Sequence, residues 1–592
     1  MHERGLTPNL SRLVEGRGYS RFEVANPPQS EVSWTSIATG LNPGQHGMFD
    51  FVHRDPSTYT PFLSLLPTQR KFGVTRFVRP FSARTIFDAV ADQGYPATTL
   101  WWPGTFPARA ESPVRTLPGL GTPDLLGRLG VGCLYTSDPE APAKLGKTLV
   151  RRLTPEGSHR YSQEVVGPKQ KKGSEEEALT VRMGLEIKDA HRAVLHMGRL
   201  TTPLSLGRWS PILDFEFRVN RLISIRAITR AILTEIGPIT KLYMLPIQLH
   251  PLHSVWAYGT PGSFVRRTWE HCGPFLTLGW PQDTTGLEDG CINDEQFRSL
   301  CESIFSARAC VLLHHLEEFR EGLLASVFDT GDRIQHMYWR DRPEVVEEWY
   351  AKYDALVGDV LARYPLGNSG DQRLVILSDH GFERWEYGVH LNRWLIDHGY
   401  LASPLAESGD MKSVDWRNTQ AYAIGLNALY INVAEREGQG TVPIDRVHDL
   451  AQQIRSDLLR WEGPDGRAVV QEVWLNQDVF IGDLAKYGPD LVIGYTPGYR
   501  ASPDTGLGGW KAGALVPNRA HWGGDHCFDP RSVPGVLLAN RDLTGYARPS
   551  YRDVPALTID ASPGDGSSDP PPSVALEDEA IMEERMRSLG YL

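Results

Sequence analysis

Three short segments in the second half of the chain constrain the fold most: LLASVFDT (residues 323–330), RLVILSDH (373–380) and PDLVIGYTP (489–497). Each is an apolar run too short for a helix, and each ends in polar residues or a turn. Near-continuous apolar runs of this length are what strands covered on both faces look like. The first hundred residues add helical patterns between such runs. In ARTIFDAVADQGYPATTLWW (83–102) an amphipathic helix closes at Gly94 and a strand follows. Alternation of this kind predicts an α/β fold, a mostly parallel sheet flanked by helices. Ligands collect at the carboxyl ends of strands in such sheets, so those ends are where chemistry should be sought.

The texture divides the chain into four parts. Residues 1–110 read as the first part of the α/β core and 306–560 as the second. Between them, 111–305 reads as a large inserted cap subdomain that would set specificity. There LDFEFRVN (213–220) alternates like an antiparallel strand, and KQKKGSEEE (169–177) reads as a solvated loop. The last part, 561–592, runs from a Pro/Ser linker into a segment of helical spacing.

Composition removes several function classes. With 61 Lys and Arg against 72 Asp and Glu, the 592-residue chain carries a formal net charge of -11, which argues against a nucleic-acid polymer as partner. No apolar run approaches the length of a membrane span, and MHERGLTPNL lacks the hydrophobic core of a signal peptide, so a soluble cytoplasmic protein is expected. The six cysteines show no CxxC spacing and read as reduced thiols.

Histidine and carboxylate cluster in three places. In FDTGDRIQHMYW, Asp332 and His336 stand four apart just after an apolar run. On a helix both would project on one face, the spacing that lets two side chains grip one ion, although an Asp–His hydrogen-bonded pair has the same spacing. Asp329 ranks below Asp332 as a ligand. LVILSDHGF places Asp379 and His380 at a strand end, with Gly381 expected to supply a sharp turn. NRAHWGGDHCFDP places His526 just after Gly523 and Gly524, which would let the chain approach a neighbour closely. Asp332, His336, Asp379, His380 and His526 form a mixed carboxylate and imidazole set suited to zinc or manganese. A fourth stretch, PPQSEVSWTSIATG (27–40), crowds five hydroxyl side chains after a Pro-Pro break, a pattern that local capping also explains.

In combination these motifs resemble the alkaline phosphatase superfamily, and within it the type I phosphodiesterase/nucleotide pyrophosphatase branch. TPNLSRL, PPQSEVSWTSIATGLNPGQHGMFDF, GTPDLLGRLG, DRIQHMYW, SDHGF, LNRWL, GDHC and RMRSLGYL occur in family order. The resemblance implies an alkaline-phosphatase-like fold and Ser30, nine residues before Thr39, as the nucleophile. Ser33 would touch the substrate, standing where family members often keep Asn. Two divalent ions are implied, zinc placed before manganese. Asp332, His336 and His526 would hold one, and Asp379 and His380 the other, with Ser30 bridging to the phosphorus. The implied reaction is hydrolysis of a small phosphate ester through phosphoserine. A phosphomutase is the enzymatic alternative. A sulfatase is disfavoured, because Val32 and Trp34 stand where a sulfatase motif needs Pro and Arg. The family pattern also opens with a strand ending in a metal-binding Asp, and no residue before Ser30 matches it. The expectation is an exposed strand edge with apolar surface beside it and an under-coordinated second metal. The corresponding alternative function is an inactive or weakly active binding or scaffold protein.

Overall fold

The computed structural model describes residues 1–71, 74–172, 175–254, 256–366 and 372–561. The tail motif RMRSLGYL and the rest of 562–592 lie outside the described residues. The chain opens with α1 (Pro8–Glu15), β1 (Tyr19–Phe22), α2 (Ser30–Thr39) and α3 (Ile86–Asp92), followed by β2 (Ala97–Trp102) and β3 (Arg115–Pro118). Later come α4 (Asp294–Glu318), β4 (Leu323–Ser326), α5 (Thr330–Tyr338), α6 (Pro343–Arg363) and β5 (Val375–Leu377). Two strands near the end complete the frame of the site, β6 (Gly524–Asp525) and β7 (Gly535–Ala539).

Local chemistry explains the elements. Thr85 and Asp88 form a reciprocal capping box at the start of α3, and Gly94, at φ +85°, turns the chain out of it toward β2. All six residues of β2 are buried, as expected of a strand covered on both faces.

The fold is mixed α/β with several sheets. Parallel pairing, as predicted, joins β4 to β2 and β2 to β3. The strand leading to His380 is arranged differently: β5 pairs antiparallel with β7, which pairs antiparallel with β1. The segment PDLVIGYTP supplies strand Leu491–Tyr495 of a separate four-stranded antiparallel sheet and not of the sheet carrying the histidines. Both partner orders satisfy the same local pattern, so periodicity alone could not separate them.

Residues 133–249 form three further sheets. LDFEFRVN is antiparallel, as its alternation predicts: Leu213–Arg218 pairs with Ser224–Thr229. The described parts of KQKKGSEEE, 169–172 and 175–177, are strand and not loop. They extend the strands Arg160–Lys172 and Glu175–Ile187, in a register that sets Gln170 opposite Glu177 and Lys171 opposite Glu176. Opposite charges standing across a ladder stabilise it, and Lys169 lies 3.5 Å from Glu176. A run this polar shows no apolar alternation from which a strand could be read.

Candidate active site

The site forms where four separate stretches of chain meet. Ser30 is the first residue of α2, preceded by Gln29 in extended conformation. Gln29 holds this start in place: its side chain donates to Asp50 and to Asn427, both at 2.9 Å, and accepts from the Phe51 N–H at 2.7 Å. Asp50 in turn accepts backbone N–H groups of Leu426 and Asn427. The other hydroxyls of the stretch serve the helix. Thr35 donates to the Glu31 carbonyl and Thr39 to the Thr35 carbonyl, while Ser36 meets His46 at 2.9 Å. Ser33 lies one turn after Ser30, 2% exposed, and its Oγ makes no hydrogen bond to any described residue.

Asp332 and His336 share one face of α5, with Asp332 Oδ2 3.4 Å from His336 Nε2. The i, i+4 spacing therefore has the predicted result. Nδ1 of His336 lies 2.8 Å from the Gly524 carbonyl, which orients the ring and leaves Nε2 toward Asp332. Asp329 is engaged elsewhere, by Arg308 at 2.6 Å and by Gln282 at 2.8 Å. Asp379 and His380 follow β5 directly, with Asp379 Oδ2 3.2 Å from His380 Nε2. Gly381 has a role other than the expected turn. It does not adopt positive φ; a Cβ there would sit 2.6 Å from the Pro534 carbonyl oxygen, so close approach of two backbones requires glycine.

His526 comes from the loop after β6, its Nδ1 2.7 Å from the Pro28 carbonyl. Its ring stacks on that of His380 at 3.5 Å between centroids. Asp525, beside it, accepts the backbone N–H groups of His526 and Cys527 and pairs with buried Arg500 at 3.0 Å. Asp525 thus positions His526; the sequence offered its adjacency to the histidine but not its partner, which lies 25 residues away.

The structure therefore brings Ser30, Asp332, His336, Asp379, His380 and His526 together. Ser30 Oγ lies 3.1 Å from His380 Nε2, and His380 Nε2 lies 3.8 Å from Asp332 Oδ1. Asp332, His336 and His526 each offer a ligand atom, and these atoms all lie within 4.8 Å of one another. Asp332 pairs with Arg333 through Oδ2, while Asp332 Oδ1 and Asp379 Oδ2 are buried and accept no hydrogen bond among the described residues, which leaves each oxygen open to a cation. Charge balance says the same. Burial disfavours the Asp332 anion, yet His336, Arg333 and His380 hold its carboxyl well below the usual range. Burial likewise opposes a charge on His380, yet Asp379 and Asp332 raise its pKa. Burial pushes His526 down to about 3, leaving a neutral imidazole available as a ligand. The donor set and its unsatisfied oxygens fit a divalent metal ion.

Glu31, next to Ser30, is a residue that sequence reasoning did not single out. It is fully buried, neither carboxyl oxygen has a hydrogen-bond partner among the described residues, and burial with Asp50 and Asp379 nearby raises its pKa well above the usual range.

A strand-end cluster of acids and imidazoles facing a serine at a helix start is the layout of an α/β phosphoric ester hydrolase. Residues 1–191 and 250–525 match the type I phosphodiesterase / nucleotide pyrophosphatase family, and the chain belongs to that family, a branch of the alkaline phosphatase superfamily. Among solved structures, phosphonoacetate hydrolase from Sinorhizobium meliloti 1021, in complex with phosphonoacetate, is similar at 13% identity and a TM-score of 0.44, covering 94% of this chain and 91% of that one. Murine ectonucleotide pyrophosphatase / phosphodiesterase 5 is similar at 10% identity and a TM-score of 0.37, covering 95% and 92%. No curated protein gives a sequence match. Among the described residues no helix is long and apolar enough to cross a membrane.

Proposed function

We propose that this hydrolase cleaves small phosphate esters through a phosphoserine at Ser30. The observation that carries the reading is the position of Ser30 Oγ, 3.1 Å from His380 and next to the three-residue group of Asp332, His336 and His526. In this reading Asp332, His336 and His526 hold one divalent ion and Asp379 with His380 a second, zinc before manganese. When bound, such ions supply Lewis-acid stabilisation of phosphoryl oxygens and favour the serine alkoxide. The chain's own residues do the rest. Ser30 Oγ attacks phosphorus in line with the departing alcohol, the ester oxygen leaves with its electron pair, and water later cleaves the phosphoserine. The first turn of α2 contributes backbone N–H groups at the end of the helix where a phosphoryl group is favoured. Ser33, one turn along, is the substrate contact of this scheme.

The test is acid-quenched turnover of a chromogenic phosphodiester and monoester, with peptide mapping for phosphoserine. Phosphate is expected on Ser30. Ser30→Ala should lower kcat by roughly 10³-fold or more while metal content, by elemental analysis, stays near that of the parent. An Ala variant that keeps most of its activity removes Ser30 as nucleophile.

A further inference from the structure

The end of α4 carries a second group of metal-ligating side chains, apart from the catalytic cluster. His314, His315 and Glu318 each offer a ligand atom, and these atoms all lie within 4.8 Å of one another. Residues three and four apart are neighbours on a helix surface, so Glu318 reaches both histidines from one turn further on. The two groups lie toward opposite ends of β4. Arg308, earlier on α4, pairs with Asp329 beyond the last residue of the strand, whereas Glu318 ends the helix shortly before the strand begins.

Each of the three is prepared as a ligand. His315 is buried, and its Nε2 lies 2.9 Å from Oγ1 of Thr268 on the neighbouring helix Gly262–Cys272. That hydroxyl donates its own hydrogen to the Phe264 carbonyl at 2.9 Å, so toward the ring it accepts. Nε2 therefore carries the ring hydrogen, and Nδ1 keeps the lone pair that a metal needs. An outer partner of this kind is how metal-binding imidazoles are oriented. Burial, with His314 and Arg115 close by, lowers the His315 pKa to about 4, and burial with His271 lowers that of His314, so both rings are neutral at neutral pH. The His271 ring stacks on His314 at 3.8 Å between centroids, and neither nitrogen of His314 hydrogen-bonds a described residue. Glu317 is taken by Arg363 at 3.3 Å, but among the described residues the Glu318 carboxylate has no ion pair or hydrogen bond.

We propose that His314, His315 and Glu318 bind one divalent transition-metal ion of the zinc class, with Thr268 as the positioning residue for His315. Two imidazoles and one carboxylate suit such an ion, whereas magnesium and calcium take oxygen ligands. Three protein ligands leave a fourth position for water. The carboxyl end of a helix favours positive charge, and Arg320 already uses this end, donating to the Glu317 and Phe319 carbonyls. Because Thr268 belongs to the helix Gly262–Cys272, an ion held here fastens that helix to α4.

The experiment uses the full chain and zinc alone. The parent and the double variant His314→Gln, Glu318→Gln are saturated with zinc, dialysed against metal-free buffer, and analysed for bound metal and for hydrolysis of a chromogenic phosphate ester. The double variant should keep one ion fewer per chain and hydrolyse the ester at the parent's rate. A second measurement needs no substitution at the ligands: in the parent, zinc should slow carbethoxylation of His314, mapped by peptide, by about tenfold or more, and magnesium should not. Thr268→Val, which removes the orienting partner, should raise the zinc concentration needed for that protection by roughly tenfold. Equal zinc content in the parent and the double variant, or no protection of His314 by zinc, would overturn the proposal. So would protection by magnesium at the same concentration, or loss of hydrolysis together with the ion, which would place that ion at the catalytic cluster.

Discussion

At the scale of single residues, the site depends on histidines whose second nitrogen is already committed. His336 is turned by the Gly524 carbonyl and His526 by the Pro28 carbonyl, so each presents its remaining nitrogen to the cluster. His336→Gln and His526→Gln should each weaken metal binding by roughly tenfold or more, seen as loss of bound ion on dialysis. The apo protein should keep its cooperative unfolding, because ligand loss acts on the loaded state. Unchanged metal content in both variants would sink the ligand assignment. Glu31 shows where residue-level reading stops. A glutamate in a hydroxyl-rich helix start looks like a solvated first-turn acid, and only the packing of α2 shows that it is fully buried.

Elements bring these residues within reach, and β6 approaches α5 closely. A Cβ on Gly524 would stand 2.5 Å from the Gln335 carbonyl oxygen and 2.6 Å from Trp339 Cβ. Gly524→Ala should therefore push β6 away from the helix that carries Asp332 and His336, costing about 1–3 kcal/mol and weakening metal binding with it. Denaturant unfolding and metal analysis of the same variant check both effects; a change in neither means the two elements are not coupled. The Gly-Gly pair was legible in the sequence as a close approach, and the structure supplies the partner. Gly381 was legible only as a glycine, since a turn and a backbone contact ask for the same residue. The paired strand ends 169–172 and 175–177 were illegible because the contacts that stabilise them run across the ladder and leave no apolar signature along the chain.

For the whole molecule, pH is the simplest probe. His46 and His53 are buried, and burial lowers each from 6.5 to about 3. His46 accepts the Met48 N–H on Nδ1, and His53 accepts the Phe49 N–H on Nε2, roles open only to neutral rings. Between about pH 6.5 and 3 the unfolded chain binds protons that the folded chain refuses, so the stability tied to these groups is complete above 6.5 and is lost as pH falls. In the double variant His46→Gln, His53→Gln, proton uptake on unfolding in that window should fall by about two. Denaturant unfolding at several pH values measures the slope, and an unchanged slope would mean that neither ring is held neutral.

The sequence by itself determined what depends on near neighbours. Asp332 and His336 share a helix face because the helical period is local, Asp379 and His380 end a strand because an apolar run stops there, and the ordered motifs carry the family. Tertiary structure alone decided which strands are neighbours. It paired β5 antiparallel with β7, moved Leu491–Tyr495 into another sheet, and gathered residues 30, 332, 380 and 526 into one cluster. Strand order is made by hydrogen bonds between residues far apart in the chain, and a strand's own residues specify only that it is extended and which faces are apolar, not what lies beside it.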